Sequence, residues 1–222
     1  MKWSDFKFFP VMGEPLTKEN TMQLDFSPAN SELEEVDISN TEVFDAYVFD
    51  QLRVKGKKYG IGGYLEHRAI YRRSEVFATT SAEFRDIHLG MDIWCSAGSP
   101  IFSPWRAVVH SFQDNAGFGN YGPTVILEHE LAGEKLYSLY GHLSRKDLEV
   151  LREGQILEAG ERVGHVGPFP ENGDWPPHLH FQLMIELWGN RGDFPGVASR
   201  NDLPKFGKNC PNPALILKPS MG

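Results

Sequence analysis

Apolar residues along the chain fall into short bursts with two different periods. Val43, Phe44, Tyr47, Val48 and Leu52 recur at helical intervals, and Ser39 stands three residues before Glu42, the spacing of a capping box. The pattern predicts one amphipathic helix of about three turns that ends near Lys55 and Gly56. From Tyr64 to about Ile185 the bursts are shorter, β-prone and separated by Gly and Pro, at residues 107–112, 124–129, 136–140, 155–158, 162–166 and 178–185. Ser144 followed by Asp147, Leu148 and Leu151, and closed by Gly154, predicts one short capped helix between strands. Residues 1–38 read as a polar, acidic, irregular arm, Lys57 to Gly63 as a basic flexible turn, and Leu187 to Gly222 as an irregular tail wrapped on the sheet. The fold class expected is mainly β, a compact antiparallel β-sandwich or barrel with a few short helices. Two segments are expected: an arm with one amphipathic helix over residues 1–58, and a β domain with its wrapping tail over residues 59–222.

Composition sharpens this picture by exclusion. Gly and Pro, at 22 and 15 of 222 residues, supply too many breaks for a helical bundle or a coiled coil. Lys plus Arg at 22 against Asp plus Glu at 30 gives a net charge of −8, so no global field draws nucleic acid or anionic lipid. A peptide or peptide-like small substrate is the partner expected, with no nucleic acid and no membrane. Cys95 and Cys210 are too few for a disulfide framework and lie in no Cys-x-x-Cys pattern, so they read as idle thiols. Met1 to Pro10 lacks the apolar region of a signal peptide, and no later run reaches membrane-span length. The location expected for the chain as given is cytoplasmic.

The candidate chemistry lies in the histidines. Two spacings stand out among the eight, His88-Leu-Gly-Met-Asp92 and His178-Leu-His180. On a strand, residues two apart project from one face about 6.8 Å apart, so His178 and His180 stand side by side and suit either a metal or a division of labour. A fully extended segment would hold His88 and Asp92 about 13 Å apart, so the chain must bend between them, and Gly90 permits that. Two imidazoles and one carboxylate make a three-ligand set with a fourth position open, the pattern of a catalytic zinc. His142, in Leu139-Tyr-Gly-His-Leu-Ser144, ends a strand where the next element begins, a usual place for a reactive group.

The order and wording of five segments then become informative. Ile87-His-Leu-Gly-Met-Asp-Ile93, Gly98-Ser-Pro-Ile-Phe-Ser-Pro104, Leu139-Tyr-Gly-His-Leu-Ser144, the glycines 154, 160, 164 and 167, and Pro177-His-Leu-His-Phe181 resemble the lysostaphin-type, LytM-like (beta-lytic) zinc metallopeptidases. The resemblance implies an antiparallel β-sandwich with a groove, a zinc ion held by His88, Asp92 and His180, and catalytic histidines at His142 and His178. It implies a zinc-dependent metalloendopeptidase or amidase-like hydrolase; the alternative is a catalytically silent metal- or ligand-binding module of the same fold. A phosphocarrier with two histidines would have no use for Asp92. His129 resembles a recurrent family position and reads as a core or supporting residue.

Some of the wording departs from the family. Pro168 to Pro177 replaces the small flexible residues usual before His-x-His, Trp175 is expected to narrow one wall of the groove, and Gln182 stands where Glu is commoner. Glu66, Arg68, Arg72 and Arg73 precede the metal motif and read either as structural ion pairs or as partners for a substrate carboxylate or phosphate. Tyr121 to His129 and Gly192 to Gly196 resemble a branch in which the domain is joined to kinase-like and aminotransferase-like domains. That resemblance points away from a peptidoglycan substrate.

Overall fold

The structure is a computed structural model and describes residues 6–78 and 84–218. The mainly β class is the one observed. An eight-stranded sheet runs in the order β1 (Thr21–Gln23), β2 (Tyr59–Gly62), β4 (Met91–Trp94), β11 (His178–Met184), β8 (Glu134–Gly141), β7 (Gly122–Leu131), β6 (Ala107–Asn115) and β9 (Ile156–Leu157). Two small sheets flank it, β5 (Pro100–Phe102) with β10 (Arg162–His165), and β3 (Ile87–His88) with β12 (Val197–Ala198). Pairing is antiparallel throughout except between β1 and β2, which run parallel, so the large sheet is mixed where a purely antiparallel one was expected.

The period-2 pattern in β11 divides its side chains between two environments. Leu179, Phe181 and Leu183 enter the main core with Ile61, Ile93, Val125, Leu127 and Tyr140, while His178, His180 and Gln182 alternate onto the other face. Burying the apolar set is worth roughly 1.5–3 kcal/mol per large side chain, and a one-residue slip would exchange the two sets. The register of this strand therefore also aims the histidines.

The helix expected from residue 39 onward is α1 (Thr41–Lys55), and its cap is Asn40 instead of Ser39. Asn40 Oδ1 accepts from the backbone N–H groups of Glu42 and Val43 at 3.0 and 3.3 Å, satisfying two orphan donors of the helix start. Ser39 Oγ turns back to Asp37. Phe44, Val48 and Leu52 are buried; Phe44 and Val48 pack with Leu24, Phe26, Trp94 and Trp175 in a second core.

Four local expectations change. Residues 59–62, read as part of a flexible turn, form a fully buried strand. Glycines depress strand propensity, yet here they admit neighbours: a Cβ on Gly60 would overlap Leu24. The arm supplies β1 through a pairing about 38 residues distant, which local pattern does not register. The tail contains two short helices, α3 (Leu203–Asn209) and α4 (Ala214–Leu217). The short helix after Ser144 is α2 (Arg145–Val150), and Ser144 makes no side-chain capping bond to it; its hydroxyl donates to Glu171 Oε1 at 3.0 Å, which also accepts from the Arg145 N–H at 3.2 Å.

Candidate active site

Four strands place one row of residues across the sheet. In register, Gly62, Asp92, His180 and Gly141 lie side by side on β2, β4, β11 and β8. His88 joins them from β3, outside the large sheet, where it pairs with Val197. Between His88 and Asp92 the glycine serves close approach: a Cβ on Gly90 would lie 2.7 Å from the Phe181 carbonyl oxygen and 2.8 Å from His180 Cε1. Gly141 has a similar role, since its Cβ would lie 2.7 Å from the Tyr121 ring.

His88, Asp92 and His180 meet in one buried cluster. Nε2 of His88 is 2.9 Å from Nδ1 of His180, and Asp92 Oδ1 is 3.2 Å from the first and 3.1 Å from the second. Hydrogen bonds on the far side of each ring settle the tautomers. His88 Nδ1 lies 2.9 Å from the Gly63 carbonyl oxygen, which only accepts, so Nδ1 carries the proton and Nε2 is bare. His180 Nε2 lies 3.0 Å from Gln182 Oε1. The Gln182 amide group donates to the Pro195 carbonyl at 3.1 Å, which turns Oε1 towards the ring. Nδ1 of His180 is then bare as well. Burial, reinforced by the Arg68 charge, pushes His88 down to about 3. Burial works against ionisation of Asp92, and the cationic charge around it, His88 when protonated and Arg68, holds its carboxyl well below the usual range.

Two bare nitrogens and a carboxylate oxygen thus converge on one point with no proton among them. Such a set is repulsive alone and suits a divalent cation at bond lengths of about 2.0–2.2 Å. The donor types, nitrogen and oxygen without sulfur, fit zinc.

His142 and His178 flank this cluster, with ring centroids 4.2 Å apart. Their Nδ1 atoms lie 2.7 Å from the carbonyl oxygens of Asn172 and Pro176, so each neutral ring presents a bare Nε2. Burial pushes His178 down to about 4. Burial, then the nearness of His178, holds His142 well below its ordinary value. Trp94 stacks on His178 at 3.9 Å. His142 adopts φ 62°, a left-handed conformation uncommon outside glycine. Its N–H donates to Tyr121 and its carbonyl accepts from Gly167 at 2.9 and 2.8 Å, which hold it there.

A cavity of about 280 Å³ opens onto Asp92, His142, His178 and His180, walled by Tyr71, Phe77, Tyr121, Trp175 and Phe194. Trp175 stands in the wall where the sequence placed it. The five residues singled out from the sequence therefore lie together. His129 lies apart from them in the core. Arg68 pairs with Asp92 and Glu66, and Arg73 is clamped between the Phe118 and Trp175 rings, 4.6 Å from each centroid. Tyr121, whose hydroxyl lies 3.3 Å from His180 Nε2, was not singled out. It stands inside a quoted segment, but a lone Tyr before Gly-Pro carries no local signal of chemistry.

A mostly β domain holding a buried His–Asp–His cluster beside two tautomer-locked histidines has the make-up of a hydrolase centre. Residues 86–191, a little under half of the chain, match the model of peptidase family M23. In part the chain is similar to a zinc-containing peptidase of Vibrio cholerae, at 19% identity over 55% of this chain and 32% of that one, with a TM-score of 0.36. It is similar also to lysostaphin in solution, at 20% identity over 74% of this chain and 52% of that one, with a TM-score of 0.44. The catalytic domain of lysostaphin from Staphylococcus simulans matches at 19% identity over 67% of this chain and 92% of that one, with a TM-score of 0.40. The match thus spans about a third of the Vibrio chain and about half of full lysostaphin. No curated protein matches the sequence.

Proposed function

We propose that this protein is a zinc-dependent metallopeptidase that hydrolyses a peptide or amide bond in a peptide-like small substrate. The observation that carries the reading is the convergence of three bare donor atoms, from His88, Asp92 and His180, two of which, those of Asp92 and His180, belong to residues lining a cavity that also presents two bare imidazole nitrogens. These three residues would hold the zinc. When bound, zinc supplies Lewis-acid polarisation of the scissile carbonyl and lowers the pKa of water at the site.

The chain's own groups handle the protons. His178 Nε2 is 4.0 Å from Asp92 Oδ2, beside the cluster, and takes the proton of the attacking water. His142 shares the cavity with its ring 4.2 Å from that of His178; its bare Nε2 takes that proton on from His178 and delivers it to the leaving amine. Burial raises the Tyr121 phenol well above its ordinary value, so it stays protonated and donates to the carbonyl oxygen as negative charge develops there. The aromatic walls exclude water from these exchanges.

Digestion of short peptides with Gly-Gly and D-Ala linkages, with and without a chelator, tests the reading. Cleavage is expected with the zinc-loaded protein and is lost on chelation and in His180→Ala. Undiminished cleavage by metal-free protein contradicts the metal role. Stoichiometric zinc without cleavage of any peptide supports the binding module instead.

A further inference from the structure

One buried charge at this site takes no part in the proton transfers or the ligand set. Arg68 is 1% exposed and borders the cavity, with two of its donor nitrogens taken by protein carboxylates. Its Nη1 donates to Asp92 Oδ2 and lies 3.2 Å from the Tyr71 hydroxyl, while Nε donates to Glu66 Oε2 at 2.7 Å. The two Asp92 oxygens therefore have different neighbours. Oδ1 faces His88 and His180, and Oδ2 faces the guanidinium.

An unrestrained carboxylate binds a divalent cation through one oxygen or through both. Binding through both would use a coordination position needed for substrate or water. Resting on the zinc site proposed above, we infer that Arg68 is a positioning residue that reserves Asp92 Oδ2 and so makes Asp92 a one-oxygen ligand. A planar guanidinium fixed at Nε by Glu66 cannot swing away from Oδ2. Gly62 makes room for this arrangement: it is the register partner of Asp92, and a Cβ there would overlap Arg68 Nη2. The glycine at the end of the row and the arginine beneath the carboxylate form one device.

The test uses cobalt as a spectroscopic substitute for zinc in the full chain, with zinc affinity measured by chelator competition. Wild type is expected to give the intense visible absorption of four-coordinate cobalt. In Arg68→Met, with Oδ2 released, the absorption should weaken severalfold as coordination number rises, and zinc affinity should fall about 10- to 100-fold. Arg68→Lys, which keeps one donor and the charge, should recover part of both signals. Gly62→Ala, which crowds the guanidinium while leaving Asp92 and Arg68 in the sequence, should shift the spectrum in the same direction and is the variant read if Arg68→Met does not fold. An unchanged cobalt spectrum with unchanged zinc affinity in Arg68→Met, or in Gly62→Ala where that is the variant read, overturns the inference. Failure of wild type to bind either metal refutes the zinc reading itself, a separate result.

Discussion

The same sheet buries two histidine clusters that look alike by burial and differ in what they leave unsatisfied. On β7 and β8, His129 is fully buried. Its Nδ1 lies 3.2 Å from the Arg106 carbonyl, Nε2 lies 2.7 Å from Ser138 Oγ, and that hydroxyl lies 3.1 Å from the Tyr140 hydroxyl. Each ring nitrogen has a partner of the complementary kind, so the cluster is closed. On β3 and β11, beside Asp92 of β4, the rings of His88 and His180 are anchored as firmly on one side, yet their other nitrogens face each other and a carboxylate. Burial depresses the titration of His129 and His88 alike. Depressed basicity by itself therefore does not mark a functional histidine; converging lone pairs without protons do.

This contrast breaks most sharply at His142 and His178. Replacing His142 with Ala should lower turnover by on the order of 10²–10⁴ while leaving zinc content intact, read by elemental analysis beside a peptide digest. Loss of zinc in His142→Ala would move that residue from proton carrier to ligand support.

A smaller effect is expected from the closed cluster, and it appears in stability alone. His129 is pushed down to about 4 from 6.5 by burial. Because its folded value lies below its unfolded one, its contribution is fully present above about pH 6.5 and is lost as pH falls towards 4. Between pH 7 and 4.5 wild type should lose on the order of 2 kcal/mol more stability than His129→Gln, measured from urea midpoints. Equal losses in the two proteins would remove His129 from the account of acid sensitivity.

Much of the site was legible before the fold was known, for a reason visible in β11. Strand alternation and metal-ligand chemistry both act over two to four residues, so His178, His180 and the His88–Asp92 pair leave local signatures. The residues that lock them do not. Gln182 reads as an ordinary polar strand position until Pro195 and His180 are seen on either side of it. Arg68 meets Asp92 across 24 residues, and an arginine in a loop has the same local appearance whether it faces solvent or a buried carboxylate. The fold follows the same division. Long antiparallel strands with clear alternation were located to within a few residues. The glycine-rich β2 and the three-residue β1 exist through partners distant in the chain. The Asn40 cap shows the smallest scale of the problem: two adjacent residues both have capping side chains, and only the geometry at the helix start selects between them.

Zinc stoichiometry is the most direct measurement of the central claim, that bare donor atoms of His88, Asp92 and His180 converge to hold a metal. Purified wild-type protein dialysed against zinc and then against metal-free buffer should retain one zinc per chain, and His180→Ala should retain none. Equal zinc content in wild type and His180→Ala, or none in either, would contradict it.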